Sequence, residues 1–561
     1  MEYKQSIFFS ILRQTRMKKA YIYSMQMSRF PSITLAVSSL VVFYSLNFLK
    51  NIKISLFLFF LFTLSSLSLI LSFIIGRFLA QRSEAKRNEI DFRAEEQVLD
   101  KRNTGKKILS LFFFISLGSL FGTIAYLKLL ASFLPPITLA NMQKGEKVTL
   151  TLLGDAYPSS SAYYKVKASL SECKASGGIY SCKGAVILLI PSVFIRQNYL
   201  GSSTLQKKAS KISIFSKGLI IEVEGHFAKK KKSELFSMHR FIVSKNSNIS
   251  FKGYSAPLYS LRAHSRFFLS QLLYSWNSAG ALLQALLTAN RDFLSVEDVS
   301  NFRAAGASHV LALSGMHLAI IGGLAHFFSS LFLGRKLLKL AIMGICFVFL
   351  IFAGASPSLL RSFFMLCIIA TARLLYVQVE LLPTLALTFS FHVFFFPQDA
   401  LTLSFSLSYL ALFGILFFGQ TFYNLLTPFL PDFICASLSS SLSATFATLP
   451  LLAITFGQVS LIGIISCCII SPLISLFLVL GILCIPASLI APLLHNACGL
   501  TLNLLYTFII NVVSIFSIFP CIKCETHTAL IFTSLPFMLA IVLMFLEKHW
   551  RDQRLKKLII N

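Results

Sequence analysis

An α-helical polytopic membrane protein with one small extracytoplasmic β-domain inserted in it is the fold class that this 561-residue sequence predicts. Apolar residues make up 55% of the chain and charged residues only 13%, and the apolar content is gathered in blocks long enough to cross a bilayer. Residues 135–265 break that pattern with short alternating segments between polar turns. Lys and Arg exceed Asp and Glu by 29, and their placement orients the chain.

In chain order, apolar blocks predict spans at 31–49, 54–75 and 108–134, the first two joined by a tight link around Lys50 to Lys53. The intervening segment 76–107 carries nine Lys/Arg and six Asp/Glu. Its spacing (Arg82, Lys86, Glu89, Arg93, Glu96) suits a solvated helix with pairs three and four residues apart. This segment and the N-terminus, with six Lys/Arg before residue 31, are expected in the cytoplasm. Span 108–134 then leads outward and ends at Pro135 and Pro136.

The outer segment 135–265 alternates in 147–153, 163–168 and 218–225, which predicts a small antiparallel barrel or sandwich. It holds 19 Lys/Arg against six Asp/Glu, a net charge of +13. Tyr163 and Tyr164 stand beside Lys165 and Lys167. Lys207, Lys208 and Lys211 lie near Phe215, and Lys229, Lys230, Lys231 and Lys232 form a basic run read as a hairpin tip. Charge that tracks a phosphate backbone beside rings that stack on bases is the chemistry of single-strand binding; the same lysines would also suit a surface facing anionic lipid. Eleven cysteines are too scattered for a disulfide scaffold. Cys173 and Cys182 are a candidate disulfide in the exported domain, and Cys521 and Cys524 form one Cys-x-x-Cys, two ligands short of a zinc site. No metal or cofactor is expected.

From 266 the chain returns to the membrane. Segment 266–300 reads as amphipathic rather than spanning, with Trp276, Leu282, Leu283, Leu286 and Leu287 at helical spacing. Nine spans are expected after it, near 308–333, 337–354, 358–377, 381–396, 400–419, 433–455, 458–484, 498–518 and 529–546. The basic tail 547–561 is then cytoplasmic. Several spans are short or interrupted by Pro and Gly, which suits half-helices lining a cavity.

Between 266 and 546 there are only nine Lys/Arg. Arg291, Arg303 and Arg361 sit among Gly and Ser, with His309, Ser314, Gly315, His317 and Ser362 nearby in sequence. Ionisable groups at membrane depth must face water or one another. Guanidinium forks, backbone amides freed by glycine and hydroxyl donors together replace the hydration of an anion. Snorkelling arginines and a hydrogen-bonded packing histidine are the plainer alternative.

Four ordered stretches carry a resemblance. They are Ala285 to Arg291 leading through Phe302-Arg303-Ala304-Ala305-Gly306 to His309–His317; Ala353 to Ser362; Pro397 to Leu401 with Ser404 to Leu410; and Thr448 to Leu452 with Phe456-Gly457-Gln458-Val459-Ser460. In this the chain resembles the ComEC-type competence family, the inner-membrane channel for DNA uptake in bacterial transformation. The resemblance implies a fold of a polytopic helical channel with an OB-like outer domain. Its residues divide into an N-terminal three-span unit at 1–134, the OB-like domain at 135–265 and a channel domain at 266–546. It implies a bacterial inner-membrane location, single-stranded DNA and anionic lipids as partners, and DNA-receptor and cytoplasmic strand-handling proteins beside them. Many members carry a C-terminal metallo-β-lactamase-like domain with a His-x-His-x-Asp-His motif. No such motif occurs in this sequence, so a separate nuclease is expected to degrade the strand left outside.

Two rival classes remain open at this level. One is a transporter of small anionic metabolites or lipids. The other is an intramembrane serine hydrolase using Ser314 and His317, disfavoured because side chains of one helix rarely aim a base at their own neighbour. His392 and His495 are lone candidates for a partner base.

Overall fold

The computed structural model describes residues 146–158, 162–175, 178–192, 215–228, 239–244 and 249–523, the apolar helix Leu120–Leu129 and a few isolated positions towards either end. The spans expected at 31–49, 54–75 and 529–546, the charged segment 76–107 and the basic tail lie outside the described residues, apart from those isolated positions.

Seven strands build the β-domain: β1 (Glu146–Leu152), β2 (Tyr157–Pro158), β3 (Tyr163–Ala175), β4 (Gly178–Pro191), β5 (Leu219–Phe227), β6 (His239–Val243) and β7 (Ser250–Tyr254). β1 pairs with β3, β3 with β4, β4 with β6, β6 with β5, and β5 returns to β1, so five strands close into a barrel. The β4–β6 pair alone is parallel. This strand order is that of an OB-like barrel. Closure follows from the alternation: Val148, Leu150 and Leu152 on β1, Val166, Ala168 and Leu170 on β3, Val186, Leu188 and Ile190 on β4, and Ile221 and Val223 on β5 fill one core. A bulge at Ser171 resets the parity of β3, so Cys173 also points inward.

The helices that follow are α1 (Pro257–Tyr274), α2 (Asn277–Thr288), α3 (Val296–Ala304), α4 (Gly315–Ser330), α5 (Arg335–Ala353), α6 (Pro357–Leu374), α7 (Leu381–Phe395), α8 (Leu403–Leu426), α9 (Asp432–Phe456), α10 (Gly463–Ile490) and α11 (Pro492–Ser517). A helix falls within eight of the nine stretches expected to span; the ninth lies outside the described residues. Five of them, α6 and α8 to α11, are long and apolar enough to cross a membrane. The 16-residue α4 and 15-residue α7 fall short of the ~20 residues that a straight span needs. Helices α9 and α10 run through Pro450, Pro472 and Pro486 without ending.

The amphipathic reading of 266–300 does not hold for α2, which has no exposed polar face from Ala279 on. From Ala279 to Thr288, every residue of α2 is buried. The helix is enclosed by α1, α10 and α11, with Leu283 against Gly481, and Trp276, just before α2, against Gly499. Its few polar groups are satisfied locally: Gln284 donates to Ser270 at 2.9 Å and Thr288 to the Gln284 carbonyl at 2.8 Å.

The chain forms two compact units, residues 1–129 with 364–409 and residues 130–363 with 410–561. In the first, Phe121 lies 4.8 Å from the Phe394 ring and Lys128 Nζ donates to the Phe394 carbonyl at 3.3 Å. The second holds the barrel, α1 to α5 and α9 to α11.

Candidate functional site

The α3–α4 loop, residues 305–314, is clamped at its start by the last residue of the fourth motif and by the first turn of α10. Ser460 Oγ donates to the Ala304 carbonyl at 2.9 Å and Ser466 Oγ to the Ala305 carbonyl at 2.6 Å. Gly306 has φ +74°, and a Cβ there would come within 2.6 Å of Gly463 Cα, so two glycines let the loop cross the start of α10. His309 is exposed and its Nε2 lies 3.9 Å from Cys467 Sγ.

Arg291, in the α2–α3 turn, and Arg303, in the last turn of α3, are both exposed and within electrostatic reach of each other. Among the described residues, neither has a carboxylate at ion-pair distance. Two adjacent guanidinium groups without an acidic partner leave a local positive field.

A second group forms where α4 begins. A Cβ on Gly315 would lie 2.6 Å from Ser362 Oγ and 3.5 Å from Arg361 Nη2, which joins the first and second motifs. Ser314 is the N-cap of α4, and both its N–H (3.3 Å) and its Oγ (3.0 Å) reach His317 Nδ1. Ser314 and His317, disfavoured from sequence as a nucleophile and its base, do meet, through the cap of α4. The capping box folds the N3 side chain back onto the N-cap. A hydrolytic dyad needs a third group to orient the imidazole, and His317 Nε2 is buried without a hydrogen-bond partner among the described residues. Arg361 is placed at Gly315, whereas the arginine that acts on Arg291 is Arg303.

On the barrel, Tyr163, Lys165 and Lys167 lie on the outer side of β3, alternating with the buried Val166 and Ala168, while Tyr164 packs against the core. Lys207, Lys208 and Lys229 to Lys232 lie outside the described residues. The backbone register sets Cys173 opposite Tyr180 and Cys182 beside the Ser171 bulge; the Cys182 side chain is outside the described set. On another flank, Glu222 binds Lys174 at 2.9 Å and Lys252 at 3.1 Å, and Lys147 binds Glu224 at 3.1 Å. The two lysine hydrogen bonds hold the Glu222 carboxyl below its ordinary value.

Sequence reasoning missed two clusters. Asp155, between β1 and β2, receives Arg262 Nη1 and Nη2 at 2.7 and 2.6 Å and Arg266 Nη1 at 2.5 Å. Arg262 Nε donates to the Ile351 carbonyl at 2.7 Å, and Arg266 Nη2 to the Thr288 carbonyl at 3.0 Å. One carboxylate thus ties the barrel to α1, α2 and α5. Burial by itself would raise the Asp155 carboxyl, but the two guanidinium groups hold it far below the usual carboxylate range. The second cluster lies in the other unit: His392, fully buried, meets Tyr409 Oη at 3.1 Å and Asp399 Oδ2 at 3.4 Å within a ring of Phe364, Phe396 and Phe405. His495 meets Ser275 at 2.8 Å and tilts over Trp276.

Fold and motifs together define a multi-pass membrane protein with an OB-like barrel domain. Residues 286–551 match the family model for Competence protein. "ComE operon protein 3" of Bacillus subtilis (strain 168) is 27% identical over 206 residues, which is 36% of this chain and 26% of that protein. The chain therefore matches about a quarter of the length of this relative. No solved structure matches it.

Proposed function

We propose that the chain is a membrane channel that passes single-stranded DNA into the cytoplasm during natural transformation, with no covalent chemistry of its own. The competence-type match over 286–551 supports DNA uptake as the process. The observation that carries the channel reading is the pair Arg291 and Arg303, two exposed guanidinium groups without a carboxylate partner among the described residues, at the two ends of a short helix whose C-terminal end is bound to the start of a spanning helix. A polyanion crosses a low-dielectric layer only where such groups replace its lost hydration. Tyr163, Lys165 and Lys167 on the outer side of β3 would gather the strand before it reaches the helices.

In this reading the termini are cytoplasmic and residues 135–265 face outward in the bacterial inner membrane. Residues 1–134 form an accessory membrane unit and 266–546 the channel. A DNA receptor, a cytoplasmic strand-binding protein and a separate nuclease complete the process, and anionic lipid surrounds it. Transformation frequency with Arg303→Ala or His317→Ala, at normal protein level, tests the assignment. A fall of about tenfold or more for each is expected, since each removes a charge-assisted or buried donor. Wild-type frequency in both would remove these residues from the path.

A further inference from the structure

The depth at which α3 sits is set by α11, one of the five helices long and apolar enough to span. At 1.5 Å per residue the 26 residues of α11 cover about 39 Å, and Tyr506 stands about 21 Å from its start, near the middle of the layer. There the Tyr506 hydroxyl donates to Asp298 Oδ2 at 2.6 Å, in the first turn of α3. The other end of α3 is held near the far end of α11. Cys521, four residues beyond α11, places its Sγ 3.8 Å from the Ala304 carbonyl. Ser466, in the first turn of α10, holds the next carbonyl. At nine residues α3 is about 13 Å long, so it runs through roughly half of the hydrocarbon layer.

Two exposed surfaces at this depth differ in chemistry. On α11 the stripe Leu500, Leu504 and Phe508 is exposed and apolar, as a lipid-facing side should be. Tyr506 lies on the opposite side of that helix. On α3, Asp298, Phe302 and the adjoining Ala305 are buried. Glu297, Ser300 and Arg303, spaced by three, are exposed and share one face; Val296, at the start of the helix, is its apolar member. Charged side chains at such a depth face water or one another rather than hydrocarbon. A helix of half-membrane length also brings a backbone end into the layer, which is tolerated only inside protein or beside a water-filled cavity.

We propose that α3 is a half-membrane helix whose Glu297–Ser300–Arg303 face forms one wall of a water-filled path through the layer. For its occupant the wall rests on the channel reading above: the strand passes along it, with Arg303 at the membrane edge and Glu297 near the middle. Conduction needs groups that release as well as bind, and an acid one turn from Ser300 weakens the hold on a phosphate there.

The test uses the full chain in phosphatidylethanolamine–phosphatidylglycerol vesicles, with a membrane-impermeant methanethiosulfonate trapped inside as well as added outside. Mass spectrometry of the peptide carrying each new thiol follows its labelling apart from the native cysteines. Ser300→Cys and Glu297→Cys, each eluting as a single species like wild type, are expected to label at least about a hundredfold faster than Leu504→Cys, because only a hydrated thiol ionises readily. A saturating oligodeoxythymidylate is expected to slow the labelling of both. Labelling at 297 and 300 no faster than at 504 overturns the wall. Fast labelling that the oligonucleotide leaves unchanged keeps the wall and overturns the strand as its occupant.

Discussion

Asp155 carries the attachment of the barrel to the helices, because two nearly buried guanidinium groups depend on its carboxylate. Removing one partner of such a pair leaves the other charges buried and uncompensated, which costs about 3 kcal/mol. Asp155→Asn is therefore expected to lower the melting temperature of the full chain in detergent, whereas a surface change such as Lys165→Gln is not. The pH dependence has a definite sign. The native carboxyl is held below its unfolded value of about 3.9, so its contribution is complete above about pH 5 and fades as pH falls towards the native value. The melting difference between wild type and Asp155→Asn should be flat from pH 5 to 8 and shrink below pH 4. A difference that grows in acid would contradict the assignment. Asp155 was overlooked as a lone acid between Lys147 and Ser171, although Arg262 and Arg266 lie one helical turn apart. Sequence spacing shows that two arginines share a face; it does not show which distant carboxylate they reach.

At the scale of elements, the α3–α4 loop is held by the start of α10. Gly306→Val would force a branched residue into the left-handed region and against Gly463. A loss of about 2 kcal/mol in stability is expected, together with loss of uptake. Ser466→Ala removes one buried hydrogen bond to the Ala305 carbonyl, at a cost of about 1 kcal/mol, and should leave measurable uptake. Comparing melting and transformation frequency of the two variants checks the order. The motifs themselves were legible as ordered stretches, and the barrel was legible from period-2 alternation, since each inward position on β1, β3, β4 and β5 is apolar. The bulge at Ser171 was not, because one extra residue leaves no compositional trace. Nor was the enclosure of α2: Gln284 and Thr288 look like a polar face until Ser270 and the helix backbone satisfy them. His392 looked solitary because its partners Asp399 and Tyr409 lie seven and seventeen residues away, across a turn.

For the whole molecule, the excess positive charge is spread unevenly, with +13 of the +29 in residues 135–265. On the β1–β5–β7 flank, Lys147, Lys174 and Lys252 are taken up by Glu222 and Glu224. Oligonucleotide binding by the full chain should weaken steeply with salt, and replacing Lys229 to Lys232 by Gln should flatten the slope by roughly 0.7 for each phosphate that is no longer neutralised. A small-anion transporter would show neither effect. The most direct test of the channel itself is the entry of labelled DNA into a nuclease-protected cytoplasmic pool, in a transformable strain where this chain is the sole homologue. The account predicts label recovered there as single strands, falling to background when the chain is deleted and restored by wild type but not by Arg303→Ala. Protected cytoplasmic single strands persisting at wild-type level in the deletion strain would contradict it.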